Sequence, residues 1–234
     1  HYPLRRQRQM CIRDRLRSVL LPISATSRRD VVERIVQLLV GLFLYGVALG
    51  LMVRGGIGVA PWDVLALGVS GQTGIGYGVV TVLVSVLVLL LWIPLRQRVG
   101  LGTLLNALLV GPSADLALAV IPAPPSIWVG APMFVAGLLL LAFATGLYIA
   151  ADFGPGPRDG LMTGLVGRTG WPVWLVRTLI EGGVLLIGFL LGGPVGVGTV
   201  LFAFGVGPLI GWFLPWTTRI RAARSRQLAR ATAH

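Results

Sequence analysis

The chain has no lysine, a single cysteine and two histidines, and charged residues make up only 12% of its 234 positions. Each shortage closes off a class of chemistry. With Cys11 alone there is no disulfide framework and no cysteine metal cluster. His1 and His234 stand at the two ends, so no imidazole lies within a helix to act as base or metal ligand. The pairs Gly100/Gly102 and Gly196/Gly198 lack the following lysine that a phosphate-cradling loop needs, and close helix packing explains them better. There is no Gly-x-Ser-x-Gly elbow and no His-Glu-x-x-His helix. No catalytic constellation, cofactor motif or metal site emerges, and the chain is not read as an enzyme. Membrane acids separated this widely in sequence give no sign of meeting as a hydrolytic pair.

What the sequence has in excess is apolar residues, 55% of the chain, arranged in long blocks. A soluble domain carries about twice this share of charge and interleaves its apolar residues with polar ones. Several blocks reach the roughly 20 residues that span a hydrocarbon layer about 30 Å thick. Backbone in lipid must satisfy its own hydrogen bonds, so these blocks are expected to be helices. A β-barrel would need short alternating segments, which are missing. The net charge of +12 is carried by arginine alone, a usage that reflects a GC-rich genome. The arginines gather at block ends, as in the cytoplasmic loops of membrane proteins, so nucleic acid is not read as a partner.

Residues 1–29 form an Arg-rich tail with too short an apolar run for a signal peptide, and a disordered basic segment is expected there. Within it, Arg8-Gln-Met-Cys-Ile-Arg-Asp-Arg15 resembles translated sequencing-adaptor read-through. Six blocks are long enough to cross: 31–53, 77–95, 101–121, 130–151, 171–191 and 195–214. Two more, 57–73 and 153–169, are shorter and broken by Gly and Pro. Arg28, Arg29 and Arg34 put the N-terminus inside. With six crossings, Arg96 and Arg98, then Arg158 and Arg168, then Arg219, Arg221 and Arg224 also fall inside. Eight crossings would put Arg96 and Arg98 outside. The expectation is therefore six crossings, both termini cytoplasmic, and a basic cytoplasmic tail over 216–234. Trp92, Trp128, Trp171, Trp212 and Trp216 stand near span ends, as interfacial anchors do.

The chain also repeats. Residues 41–112 match 137–208 without a gap, at an offset of 96, and about two positions in five are identical. Gly58-x-x-Pro61-x-Asp63-x-Leu65 aligns with Gly154-x-x-Pro157-x-Asp159-x-Leu161, and Val110-Gly111-Pro112 with Val206-Gly207-Pro208. The matches fall mostly on Gly, Pro, Asp and Thr, which shared hydrophobicity does not enrich. The expected fold is an all-α polytopic membrane protein. Repeat 1 (30–121) and repeat 2 (130–215) have three crossings each, so the second copy lies inverted relative to the first. Inverted duplications of this kind place binding sites at the repeat interface near the midplane.

Each repeat carries one broken segment, expected to be a re-entrant loop with a short helix. Pro61 and Pro157 suit a first helical turn, where the missing N–H costs nothing. Asp63 and Asp159 then lie where a carboxylate favours the positive helix end. Two readings stand: the aspartates cap short interfacial helices, or they line a pathway with Gly58, Gly154, Pro61 and Pro157. The copies differ where Trp62 becomes Arg158 and Ala60 becomes Gly156. Arg158 either meets an anionic substrate or anchors the cytoplasmic surface. Glu181 is the most interior acid, and it is either functional or paired with Arg177 one turn away. Asn106 and Asp115 are expected to hydrogen-bond between helices, with Asn106 also a candidate pore residue. Asp152, at a span end, is expected in water. Pro112 and Pro208 are expected to kink or end the third and sixth spans.

The runs Gly58-Val-Ala-Pro-Trp-Asp-Val-Leu65 and Leu91-Trp-Ile-Pro-Leu-Arg-Gln-Arg-Val-Gly-Leu-Gly-Thr-Leu-Leu-Asn106 resemble the YczE/YitT-like bacterial integral membrane proteins, the YczE branch above all. The resemblance runs from about Arg28 to Arg221. It implies a multispanning protein of the cytoplasmic membrane and carries over no catalytic residue. Two functional expectations follow from the residues. One is a small secondary transporter or channel-like permease for an unidentified small molecule or ion. The other is a non-transporting accessory protein that docks a biosynthetic or export partner. The lipid bilayer is the one partner expected in either case, and six spans are compatible with a homodimer.

Overall fold

A proline ring fixes φ and removes the amide hydrogen, so proline serves best where a helix begins. Pro61 and Pro157 each open a 13-residue helix, after Ala60 and Gly156 in extended conformation. Gly74 and Gly170 close these two helices in the left-handed region, at φ 72° and 70°. At a rise of 1.5 Å per residue such a helix is about 20 Å long, too short to cross a bilayer.

The computed structural model describes residues 28–231, with side chains as far as Arg219. Most of the tail expected over 1–29, including Cys11 and the adaptor-like stretch, lies outside the described residues. Among the described residues there are eight α-helices and no strand: α1 (Arg28–Gly55), α2 (Pro61–Thr73), α3 (Tyr77–Leu95), α4 (Leu101–Val120), α5 (Ile127–Ala150), α6 (Pro157–Thr169), α7 (Val173–Leu190) and α8 (Val197–Ala231). All but α2 and α6 are long and apolar enough to cross a membrane. Pro112 and Pro208 stand inside their helices and do not end them, since α4 runs to Val120 and α8 far beyond Pro208. The basic segment after residue 215 is helical as far as Ala231.

The centre of the molecule is the packing of α1 on α5, flanked by α4 on α1 and α8 on α5. The short helices lie on the opposite half's long helices, α2 on α7 and α6 on α3. Leu38, Leu42, Leu49, Met52, Phe134 and Leu141 fill the core, each at most 1% exposed. Small residues let the backbones approach. A Cβ on Gly41 would lie 3.0 Å from the Tyr148 nitrogen, and one on Gly137 would lie 2.8 Å from Met52 Cγ. Glycine at 160 leaves room for the Trp92 ring, and Gly188 lies on the backbone of Val64 and Leu65.

The extended segments before α2 and α6 hydrogen-bond to other parts of the chain. Gly102 N donates to Phe153 O at 2.9 Å, and Gly198 N donates to Ile57 O at 2.8 Å. Gly58 and Gly154 turn here at φ 117° and 113°, where a side chain would be strained. A Cβ at either would also lie 2.8 and 3.0 Å from the hydroxyls of Thr199 and Thr103. The far ends of the short helices are tied as well. Gln72 donates to Leu191 O at 3.1 Å, and Arg168 donates to Pro94 O. Arg54 at the end of α1 donates to Leu118 O in the last turn of α4, where a cation complements the helix dipole.

Removing space at a backbone contact should cost far more than removing it at an open face. Gly188→Ala would place its Cβ 2.4 Å from Leu65 N, whereas Gly182 has nothing within 4 Å. In thermal unfolding of the detergent-solubilised protein, Gly188→Ala is expected to lose roughly 1–3 kcal/mol. Gly182→Ala should be neutral or slightly stabilising.

Candidate functional site

Asp63 is the third residue of α2 and Arg158 the second of α6, so each side chain leaves the first turn of a short helix. The two helix starts meet through them. Arg158 Nη2 lies 3.8 Å from Asp63 Oδ1, and its guanidinium stacks 5.2 Å from the centroid of the Trp62 ring. Asp63 is 1% exposed. Its Oδ1 also accepts a hydrogen bond from Tyr77 Oη at 3.0 Å. A carboxylate at this depth is tolerable because a cation, a phenol and the positive end of α2 all face it.

The second aspartate sits differently. Asp159 Oδ2 accepts from Tyr148 Oη at 2.9 Å, makes no ion pair among the described residues and is exposed. Beside it is a cavity of about 50 Å³ lined by Tyr45, Thr81, Ser85, Asn106, Tyr148 and the start of α6. Tyr45 and Tyr148 meet edge to face at 6.2 Å. The hydroxyls of Thr81 and Ser85 donate to carbonyls of their own helix, Tyr77 O and Thr81 O. Gly156 leaves the site open. A Cβ there would sit 3.3 Å from Tyr148 Oη and 3.4 Å from both Asn106 Nδ2 and Asp159 Oδ2.

Second-line contacts hold α6 in place. Trp92 Nε1 donates to Pro157 O at 3.0 Å, and Thr103 Oγ1 donates to Pro155 O at 2.7 Å. Together they satisfy carbonyls of an irregular stretch that has few other partners.

The structure brings Asp63, Asp159, Pro157, Arg158 and Asn106 to one region, and Pro61 opens the helix that carries Asp63. Gly58 and Gly154 pack instead at the starts of α8 and α4, beside Thr199 and Thr103. Glu181 is paired with Arg177 at 2.9 Å, one turn away. Both aspartates stand in the first turn of a short helix, after N-caps at Ala60 and Gly156, and both carboxylates accept from tyrosines. Arg158 is no surface anchor, since the Asp63 carboxylate draws it inward. Trp92 is not an interfacial anchor either. It is 1% exposed because Gly160 makes room for its ring, while Trp128, Trp171, Trp212 and Trp216 stay exposed. Asp115 does bond between helices, accepting from Gly78 N at 2.8 Å, and Asp152 is exposed as expected. Sequence reasoning passed over Tyr45, Tyr77 and Tyr148. A phenol within an apolar span needs a hydrogen-bond partner, which was the available signal.

Six apolar helices, two short helices and a charged cluster between them define a polytopic α-helical membrane protein. The chain belongs to the family of unknown function DUF6198, whose model matches residues 32–215. It is 40% identical over 183 residues to an uncharacterized protein of Haemophilus influenzae, covering 78% of this chain and 84% of that one. It is 28% identical over 195 residues to the uncharacterized membrane protein YczE of Bacillus subtilis, covering 82% and 91%. The uncharacterized protein YyaS of the same organism is 27% identical over 194 residues, covering 80% and 96%. No solved structure matches.

Truncating one member of the central pair leaves the other charge buried without its partner. Asp63→Asn and Arg158→Gln are each expected to destabilise by roughly 2–3 kcal/mol in detergent unfolding. The double variant should recover part of that loss, because neither charge then remains alone.

Proposed function

We propose that the protein is a small secondary transporter or channel-like permease of the bacterial cytoplasmic membrane, not an enzyme, built as two inverted three-crossing repeats with both termini inside. The observation that carries this reading is the meeting of two helix starts, at Asp63 and Arg158, beside a polar cavity. Helices interrupted at membrane depth present their ends to a bound solute, and their irregular backbone needs a cavity or protein around it. Ionisable residues at such depth are costly and point to a pathway.

Inversion is supported by contacts that recur at the offset of 96 with the two halves exchanged. Gly102 with Phe153 is matched by Gly198 with Ile57. Trp92 with Gly160 is matched by Gly188 with Val64, and Gly41 with Tyr148 by Gly137 with Met52. A two-fold relation between halves produces this reciprocity. The bond from Arg168 to Pro94 O draws the end of α6 to the end of α3, next to Arg96, in keeping with a re-entrant α6 and an inside location for both arginines.

One pair of contacts departs from the pattern. α3 packs on α4, with Gly78 against Gly111 and Asp115, whereas α7 and α8 are not packed together. The residues equivalent to Gly78, Gly111 and Asp115 are Trp174, Gly207 and Gly211. Trp174 is 68% exposed, and both glycines have nothing within 4 Å. Two like units in unlike arrangements favour alternating access, in which the seams exchange their open and closed states. A homodimer is compatible with this scheme.

Reconstituted protein is expected to give solute flux in proteoliposomes across a metabolite and ion panel, with Asp159→Asn reducing it at least about tenfold. Absence of flux for every solute would remove the transport reading. In a cysteine-free background, Trp174→Cys with Gly207→Cys should form a disulfide under oxidation, because closure brings the pair within bonding range, and the cross-link should stop flux. A seam that never cross-links would speak against alternation.

A further inference from the structure

We infer that the cavity at the start of α6 binds a small zwitterion carrying a carboxylate and an ammonium group close together, an α-amino acid or its like. The inference rests on the transport reading for its purpose but on the cavity itself for its chemistry.

One side of the site is built for an anion. The Arg158 guanidinium has five N–H donors. Within the described protein it forms one long ion pair, at 3.8 Å, and a ring stack, and it donates no hydrogen bond. The backbone amides of Arg158 and Asp159 belong to the first turn of α6, whose opening amides have no carbonyl within the helix. The first bond recorded there is from Gly160 N to Gly156 O. In the other half, Asp63 N already bonds to Ala60 O. Arg158 and a helix start with unpaired amides thus converge where α6 borders the cavity.

The other side is built for a cation. Asp159 is exposed, has no ion pair and borders the same cavity. The Asn106 amide borders it too, without a hydrogen-bond partner among the described residues. A simple anion held by Arg158 would be repelled by Asp159 and by Asp63, which already shares the Arg158 charge. Because Arg158 and Asp159 are neighbours on one turn, a solute with both charges a few atoms apart satisfies both. The cavity is small, about 50 Å³. The edges of Tyr45 and Tyr148 supply the apolar wall.

The sequence difference between the halves fits the same picture. Ala60 occupies, in the first half, the position that is Gly156 in the second, and the missing methyl leaves the space among Tyr148, Asn106 and Asp159. Gly156 has φ −62° and ψ 158°, a conformation open to any residue, so Gly156→Ala should fold normally and fill the site.

The test is thermal unfolding of the full chain in detergent with glycine, L-alanine, acetate or methylamine at millimolar concentration, and flux of the same four solutes in proteoliposomes. A bound ligand raises the unfolding temperature by mass action. Glycine or alanine is expected to stabilise the protein and to be transported, while acetate and methylamine do neither. Asp159→Asn and Gly156→Ala should each weaken the zwitterion's effect by at least about tenfold, and both should fold, since Asn keeps an acceptor for Tyr148. Flux of acetate or methylamine without any response to the amino acids would overturn the zwitterion while leaving transport standing. Stabilisation by an amino acid without flux would uphold the site and remove transport. No response to any of the four in either measurement would overturn the zwitterion site.

Discussion

Extended backbone in a bilayer has no water to bond to, so every carbonyl and amide it exposes must be met by protein. This constraint governs the segments before α2 and α6. Gly102 and Gly198 supply amides to Phe153 and Ile57, and Thr103 supplies a hydroxyl to Pro155. These bonds hold the extended segments where the short helices start. The first turns of those helices carry Asp63 and Arg158 into contact.

Once the helix starts are held, the electrostatics follow. The Asp63 carboxylate at 1% exposure requires a counter-charge, and Arg158 provides it from the other half of the chain. Asp159 is exposed instead and accepts from Tyr148. Two aspartates at equivalent positions therefore take different work. One pairs with Arg158 and the other accepts from Tyr148, because residue 158 is Arg where residue 62 is Trp.

The same exchange of large for small appears in the packing. Trp92 fits over Gly160, and at the equivalent place Gly188 accepts Val64. Two copies of one unit have kept their geometry while trading volume across the contact, as close-packed helices in lipid require. The seam between α7 and α8 is where that trade is incomplete, with Trp174 in place of Gly78.

Much of this was legible from the chain itself. The apolar blocks determined six helices long and apolar enough to cross a membrane, because length and hydropathy leave no other structure for backbone in lipid. Pro61, Pro157, Gly74 and Gly170 determined where the short helices begin and end, through fixed φ and left-handed turns. Other properties depended on residues distant in sequence. Arg158 turns inward because Asp63, 95 positions earlier, has no nearer cation. Trp92 is buried because Gly160 lies beneath it. Sequence spacing governs hydrogen bonds within a helix, but only the packing of one half on the other decides which charges meet.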